Sequence, residues 1–197
     1  MSRLRLAILI SGRGTNMERL LQAAADETYP ARACLVLSNR ANAAGLDTAR
    51  AYGVEALAIP HKDFEDRERF EHAMDAALRE HGIEILALAG FMRVLTPWFV
   101  RQWEGRMINI HPSLLPKYPG LDTHKRAIEA GDAEAGCSVH WVSESVDAGD
   151  VIAQARVPVK AGDTPEELAD RVLVEEHVLY PHALAQACEQ IQKKPSS

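Results

Sequence analysis

Apolar residues in the first half of the chain fall into short runs of strand length, separated by stretches with helical spacing. The runs cover residues 6–10, 34–37, 54–59, 83–89 and 107–110. Two of the intervening stretches repeat apolar residues three or four positions apart, at Met17, Leu20, Leu21 and Ala24 and at Phe70, Ala73, Met74, Ala77 and Leu78. Strand and helix therefore alternate, which predicts a doubly wound, mostly parallel sheet of the α/β class. The strands show little polar alternation, so we expect helices on both faces of the sheet.

The second half of the chain has a different pattern. Residues 137–142 and 151–159 alternate more strictly between apolar and polar positions, which predicts an antiparallel extension of the sheet. No repeat, low-complexity segment or linker divides the chain. We expect residues 1–192 to form a single domain and residues 193–197 to form a disordered tail.

A last helix is predicted to begin at Pro165 and to run to about Gln190. Thr164 and Glu167 have the spacing of a capping box, and a proline suits the first helical position. Pro181 lies inside this helix and marks the position where a bend would fall.

Composition and charge narrow the class of protein. A chain of 197 residues is long enough to fold without disulfides or metal. Its three cysteines lie far apart and show no C-x-x-C spacing, which is typical of a protein of the reducing cytoplasm. No run approaches the ~20 apolar residues that span a membrane. The formal charge is −6, and acids and bases are interspersed, which disfavours nucleic acid as a partner.

A glycine-rich segment follows the first strand and opens the first helix. It contains the predicted phosphate-binding residues Gly12, Gly14, Thr15 and Asn16. Glycines let backbone N–H groups approach a ligand, and a helix N-terminus carries partial positive charge, so the segment is typical of a phosphate site. The alternative is a purely structural turn in which Thr15 caps the helix and pairs with Glu18.

A dinucleotide site fits this segment less well. The G-x-G-x-x-G/A fingerprint requires a small residue where Met17 stands. The second strand also ends without the acid that would bind an adenosine ribose, which disfavours NAD. NADP is less strongly excluded, because Arg40 could contact a 2′-phosphate.

Asn109 and His111 lie at the end of the fifth apolar run. Two residues apart on a strand, they project from the same face, at the carboxyl end where α/β sheets bind ligands. A histidine can act as a general acid or base, and an asparagine amide can donate to an oxyanion. Three prolines and a glycine follow between positions 112 and 120 and would hold the pair in place. The alternative is that both side chains only anchor the loop.

An acidic loop between the last two predicted strands carries Glu144, Asp147 and Asp150. One of these carboxylates could orient His111 and favour its protonated form. The residues alone do not select which one, and an ordinary solvated turn is the alternative. No group of side chains has the spacing of a metal site, so we predict no metal.

Six motifs, taken in order, resemble the glycinamide ribonucleotide formyltransferase family, the folate-dependent formyltransferases of purine synthesis. They are LISGRGTN at 9–16, LAGFMR at 88–93, NIHPSLLPKYPG at 109–120, SVH at 138–140, VDAG at 146–149 and EH at 176–177. The LLPKYPG continuation is more particular to this family than the preceding Asn-x-His. The resemblance implies a Rossmann-like formyltransferase fold, with a phosphate-binding N-terminal half and a folate-binding, catalytic C-terminal half.

The resemblance also implies roles for individual residues. The implied catalytic residues are Asn109, His111 and Asp147. The implied substrate contacts are Gly14, Thr15 and Asn16 for the phosphate and Glu176 for the ribose hydroxyls. The implied folate-side contacts are Arg67, Met92, Arg93, Val94, Leu95 and Asn109. Many relatives have histidine where this chain has Asp122, which leaves the catalytic positions unchanged.

The activity implied is transfer of a formyl group from the cosubstrate 10-formyltetrahydrofolate to the amine of glycinamide ribonucleotide. We expect small-molecule substrates, no metal, and a monomer or homodimer. Formyltetrahydrofolate hydrolases and methionyl-tRNA formyltransferases resemble the core but carry an additional domain that these 197 residues lack, which favours a small-molecule acceptor. A non-catalytic sensor of phosphorylated metabolites is the alternative of a different class, but it leaves the Asn109, His111 and Asp147 group without a task.

Overall fold

A seven-stranded sheet runs through the computed structural model, which describes residues 2–193. The strands are β1 (Leu4–Ile10), β2 (Ala31–Ser38), β3 (Glu55–Ala58), β4 (Ile85–Leu88), β5 (Met107–His111), β6 (Glu134–Trp141) and β7 (Val151–Pro158). Their order in the sheet is β3-β2-β1-β4-β5-β6-β7. Strands β1 to β5 pair in parallel, and β6 and β7 are antiparallel. The predicted α/β sheet and its antiparallel extension are therefore confirmed.

Helices connect the strands. They are α1 (Thr15–Ala24), α2 (Gly45–Ala51), α3 (Arg67–Glu80), α4 (Pro97–Gln102), α5 (Thr123–Glu129) and α6 (Pro165–Lys193), with a short 3-10 turn at His61–Asp63. The sequence pattern did not predict α4 and α5, because six or seven residues are too few to show a helical period.

The last helix begins as predicted. The N–H of Glu167 donates to the Thr164 hydroxyl at 3.2 Å, and the N–H of Thr164 donates to the Glu167 carboxylate at 2.9 Å. The helix continues through Pro181 to Lys193, so Lys193 belongs to the helix and not to the predicted tail. Residues 194–197 of that tail lie outside the described residues.

Both faces of the sheet are covered, as the apolar strands predict. On β1, Leu6, Ile8 and Ile10 pack in the cluster that contains residues of α1, α2 and α6. Ala7 and Leu9 belong to the cluster with residues of α3 and α4. The chain runs outward from β1 to β3 and then returns to place β4 on the other side of β1. Ligands of open α/β sheets bind at such a reversal, beyond the carboxyl ends of the strands.

Candidate active site

Strand β5 presents Asn109 and His111 at this carboxyl edge. The antiparallel register pairs Asn109 with His140 on β6 and His111 with Ser138. Asn109 is half-buried, and His111 is 6% exposed. His111 is the last residue of β5, one position beyond the predicted end of the strand, so regular sheet geometry holds its backbone.

Four side chains form a continuous cluster at this edge. His111 Nδ1 lies 3.4 Å from Asp147 Oδ2, and Asp147 Oδ1 lies 3.6 Å from His140 Nε2. His140 Nε2 in turn lies 3.3 Å from Asn109 Nδ2. The structure therefore brings together the three residues predicted as catalytic and adds His140 as the link between Asn109 and Asp147.

The tautomer of His140 follows from its other contact. Its Nδ1 lies 2.9 Å from the carbonyl oxygen of Trp141, so this nitrogen carries the proton. Its Nε2 faces both the Asn109 amide and the Asp147 carboxylate. The other N–H of the Asn109 amide has no partner among the described residues and can bind a ligand oxygen.

Asp147 is held in place by a distorted loop. Its backbone has a φ of 52°, in the left-handed region. A side chain at Gly149 would place its Cβ 1.7 Å from the Trp141 carbonyl oxygen, so only glycine allows the loop to fold back on β6. Glu144 points away and pairs with Arg101 on the surface at 2.9 Å. The geometry therefore places Asp147, rather than Glu144, against His111.

The carboxylate of Asp147 is half-buried and charged. Burial raises its pKa, but contacts with His140, the Gly120 N–H at 2.9 Å and the charge of His111 outweigh burial. The net result is a pKa below the ordinary value of 3.8. Asp147 is therefore an ionised hydrogen-bond acceptor at neutral pH.

The loop after β5 fixes the other side of His111. The carbonyl oxygen of Tyr118 lies 2.9 Å from His111 Nε2. Both ring nitrogens thus face oxygens that only accept, and both contacts are hydrogen bonds when the ring carries two protons. Ser138 holds the base of the loop, because its hydroxyl donates to the Ser113 carbonyl at 2.6 Å and accepts the Leu115 N–H at 3.0 Å.

A second part of the site lies beyond β1. A cavity of about 250 Å³ is lined by Ser11, Gly12, Arg13, Gly14, Thr15, Asn16, Arg40, Ala89, Gly90 and Met92. Gly14 is the residue before α1 and has a φ of 70°, and its position carries no side-chain cap. The alternative in which Thr15 caps the helix is therefore wrong, because Thr15 is the first helical residue. All four predicted phosphate residues line one cavity, together with two arginines.

Glu176, on α6, contacts one residue of this cavity, Asn16. Its carboxylate accepts the Asn16 side-chain N–H at 2.7 Å, and the residue is 8% exposed. Burial raises the pKa of Glu176, although the bond from Asn16 acts to lower it. The other polar atom of the amide, Asn16 Oδ1, is buried without a hydrogen-bond partner among the described residues.

Most of the predicted folate-side residues lie between β4 and α4, and Arg67 lies on α3. Met92 and Val94 are 68% and 58% exposed, and Leu95 packs against the core. Arg93 is half-buried, and its Nε lacks a partner within the part of the chain that the structure describes. Arg67 is exposed at the start of α3.

The sequence pattern did not predict some residues that contact the site. His140 and Ser138 lie in a predicted strand, but only the register of β6 against β5 shows that they face Asn109 and His111. Asp132, which holds the loop after β5, looks like an ordinary turn residue. Alternation within the 137–142 run was the available signal, since it places 138 and 140 on one face.

Over residues 2–193, no three or more His, Cys, Asp or Glu side chains are arranged to hold a metal ion. No helix in the same range is long and apolar enough to cross a membrane.

Residues 4–184 match the formyl transferase family. The chain is 48% identical over 185 residues to the trifunctional purine biosynthetic protein adenosine-3 of Drosophila pseudoobscura pseudoobscura, covering 93% of this chain but 14% of that relative. It is 43% identical to the phosphoribosylglycinamide formyltransferase of Escherichia coli, covering 89% and 83% of the two chains.

A solved structure gives the same result. The crystal structure of phosphoribosylglycinamide formyltransferase from Brucella melitensis has a TM-score of 0.91 and 49% identity, covering 95% of this chain and 96% of that one. The family match extends over most of the chain and includes both parts of the site. The chain belongs to the formyl transferase family.

Proposed function

We propose that this chain transfers the formyl group of 10-formyltetrahydrofolate to the amine of 5-phosphoribosylglycinamide, or glycinamide ribonucleotide, in purine synthesis. The products are formylglycinamide ribonucleotide and tetrahydrofolate. Two similar proteins, from Escherichia coli and Brucella melitensis, are phosphoribosylglycinamide formyltransferases. Those names support the choice of acceptor.

One observation carries the proposal: the anion cavity and the His111 cluster share one edge of the sheet. The cavity lies beyond β1 and the cluster beyond β5, and only β4 separates these strands. Two strand spacings amount to about 10 Å. This arrangement suits a ligand with a phosphate at one end and a reactive amine at the other.

The anion cavity is suited to the ribose phosphate. The backbone at Gly14 and the first turn of α1 offer N–H groups and the positive end of the helix. Arg13 and Arg40 add positive charge. Glu176 is placed to accept from ribose hydroxyls, and the unpartnered Asn16 Oδ1 offers a further acceptor.

The His111 cluster is suited to formyl transfer. The substrate nitrogen attacks the formyl carbon, and the formyl oxygen becomes negative. Asn109 donates a hydrogen bond to this oxygen, and a His111 ring with a proton on both nitrogens stabilises it through its positive charge; electrostatic stabilisation of this kind is the largest that such a site supplies. Asp147 stays ionised and, with the Tyr118 carbonyl, orients the His111 ring. The bond to the folate nitrogen then breaks, and the proton lost by the attacking amine passes to that nitrogen.

The loops at this edge of the sheet are suited to a folate. Exposed apolar side chains come from three separate loops: Met92, Val94, Leu121 and Val146. Together they offer contact to a flat aromatic ring. The unpartnered Nε of Arg93 supplies a donor on the same segment.

A spectrophotometric assay tests the proposal. Purified protein is mixed with 10-formyltetrahydrofolate, with and without glycinamide ribonucleotide, and release of tetrahydrofolate is followed. We expect release only when the ribonucleotide is present. Release without it would indicate a hydrolase, and no release from folded protein under either condition would favour a binding protein.

A further inference from the structure

Glu71 is a buried carboxylate that neither the anion cavity nor the His111 cluster uses. It lies on α3 and is 1% exposed. Its Oε1 accepts the backbone N–H of Thr96 at 2.9 Å, and its Oε2 accepts the Thr96 hydroxyl. Burial raises the pKa of Glu71, although both bonds from Thr96 and the charge of Arg67 act to lower it. Burying a carboxylate costs free energy unless it is hydrogen-bonded, so its hydrogen-bond partner indicates which part of the structure it stabilises.

Thr96 is the point at which the predicted folate segment, residues 92–95, joins α4. It caps α4, since its hydroxyl accepts the Phe99 N–H at 3.4 Å. At the other end of the segment, the Met92 N–H donates to the hydroxyl of Ser11 at 2.8 Å. The segment is therefore held at one end by the loop after β1 and at the other end by Glu71.

The same helix carries a second predicted folate contact. Arg67 precedes Glu71 by four residues, so both lie on one side of α3. The bond from Glu71 to Thr96 thus fixes residues 92–95 relative to the helix turn that presents Arg67.

Asp75, one further turn along α3, makes a comparable contact with the opposite end of α4. Its carboxylate accepts the Trp103 Nε1–H at 3.0 Å and pairs with Arg79 at 2.6 Å. Two buried carboxylates therefore hold the two ends of α4. Only the Glu71 end continues into residues 92–95, which makes Asp75 a natural control.

We propose that Glu71 is a positioning residue for the formyl donor: by binding both donors of Thr96, it holds residues 92–95 in the conformation that binds the folate. The inference rests on the proposed function. It assigns Glu71 to donor binding and not to chemistry or to the ribonucleotide.

Steady-state kinetics of Glu71→Ala test the inference. The substitution leaves the Thr96 N–H and hydroxyl unpaired and frees one end of the segment. We expect KM for 10-formyltetrahydrofolate to rise about tenfold, equivalent to ~1.4 kcal/mol. KM for glycinamide ribonucleotide and kcat should stay within about twofold of the wild-type values, because the anion cavity and the His111 cluster are untouched.

Three further variants separate positioning from loss of stability. Glu71→Gln should restore the wild-type KM for the donor, since an amide can accept the Thr96 N–H and donate to its hydroxyl. Asp75→Ala should lower the melting temperature while leaving that KM unchanged. If Glu71→Ala fails to fold, Thr96→Val keeps the bond from the Thr96 N–H to Glu71, removes the hydroxyl contacts with Glu71 and Phe99, and should still raise KM for the donor several-fold.

The inference is overturned if Glu71→Ala leaves KM for the donor unchanged or raises KM for both substrates equally. It is also overturned if Asp75→Ala raises KM for the donor as much as Glu71→Ala does. Calorimetric titration of 10-formyltetrahydrofolate without the ribonucleotide gives a readout that needs no turnover. If wild-type protein binds the folate but transfers nothing, the proposed acceptor is wrong, and the Kd values of the same variants still test Glu71.

Discussion

His111 lies between a backbone carbonyl and an ionised carboxylate, and this setting defines its chemistry. The Tyr118 carbonyl and Asp147 each face one ring nitrogen. A ring with a proton on both nitrogens satisfies both contacts, and such a ring stabilises negative charge on a nearby oxygen. The side chain is nearly inaccessible, so these two contacts, rather than solvent, decide its orientation.

Replacing His111 by alanine should therefore remove activity without unfolding the protein. We expect kcat to fall by ~10²–10⁴, the range for loss of an acid–base or oxyanion group. Circular dichroism should show that the fold is retained. His182→Ala is the control, because His182 is exposed and contacts only its own helix. Near-normal turnover of the His111 variant would contradict its assignment.

The pKa of Asp147 predicts a pH dependence of stability. Its folded pKa lies below 3.8, so the ionised carboxylate stabilises the fold fully above the unfolded pKa of about 3.9. This contribution is lost as pH falls through the folded pKa. Thermal unfolding between pH 3 and 7 checks this. Above pH 5 the melting temperature of Asp147→Asn should lie below that of the wild type, and the difference should shrink toward pH 3. A deficit independent of pH would mean that the charge of Asp147 does not stabilise the fold.

At the scale of elements, the loop between β5 and α5 depends on contacts with the turn after α5. Asp132 accepts the Tyr118 hydroxyl at 2.8 Å and the Lys117 ammonium at 2.9 Å. Tyr118 has a φ of 54°, a strained value for a residue with a side chain. Since the Tyr118 carbonyl contacts His111, a contact made at Asp132 supports the orientation of the His111 ring.

Asp132→Ala should weaken catalysis from a distance. Without the carboxylate, Tyr118 can relax and its carbonyl can leave His111, and small misplacements of this kind lower turnover strongly. We expect kcat to fall by roughly tenfold. Steady-state kinetics should show KM for the ribonucleotide unchanged, because the anion cavity lies on another strand. Lys125→Ala, which removes an exposed ion pair on α5, serves as the control and should have no effect. Unchanged kcat in Asp132→Ala would show that the loop holds His111 without this contact.

At the scale of the whole molecule, the helices on both faces of the sheet bury two of the three cysteine thiols, which the proposed reaction does not use. Cys137 and Cys188 are fully buried, whereas Cys34 is partly exposed. Burial raises the pKa of both thiols to about 12. At Cys137 the charge of Glu176 raises the pKa as well. The thiolate is the reactive form, so these two side chains should be inert in the folded protein.

Thiol titration with a chromogenic disulfide reagent checks this packing. We expect one thiol, Cys34, to react at pH 8 in the native protein and all three to react in denaturant. If all three thiols react in the native protein, the helices do not cover the sheet in solution. Oligomeric state, a monomer or homodimer, and cytoplasmic location stay predictions from the sequence.

Much of this architecture could be predicted because it depends on local patterns. The period of apolar residues identified the sheet class, and capping chemistry located the start of α6 at Pro165. The order of residue types also placed Gly12 to Asn16 at a helix N-terminus. Short elements were missed, because α4 and α5 are too brief to show a period. The N-cap residue of α4, Thr96, is also held by Glu71, which is 25 positions away.

The sequence by itself thus determined the fold class, because apolar strands and helical stretches alternate along the chain. It also predicted the glycine-rich phosphate segment and the Asn109 and His111 pair, because each depends on spacing within one segment. Its resemblance to a family selected Asp147, which spacing had left open. The tertiary structure alone decided that His140 joins Asn109 to Asp147 and that Glu71 holds residues 92–95. The Asn109–His140 and Glu71–Thr96 contacts join residues 31 and 25 positions apart, and only strand register and helix packing bring such residues together.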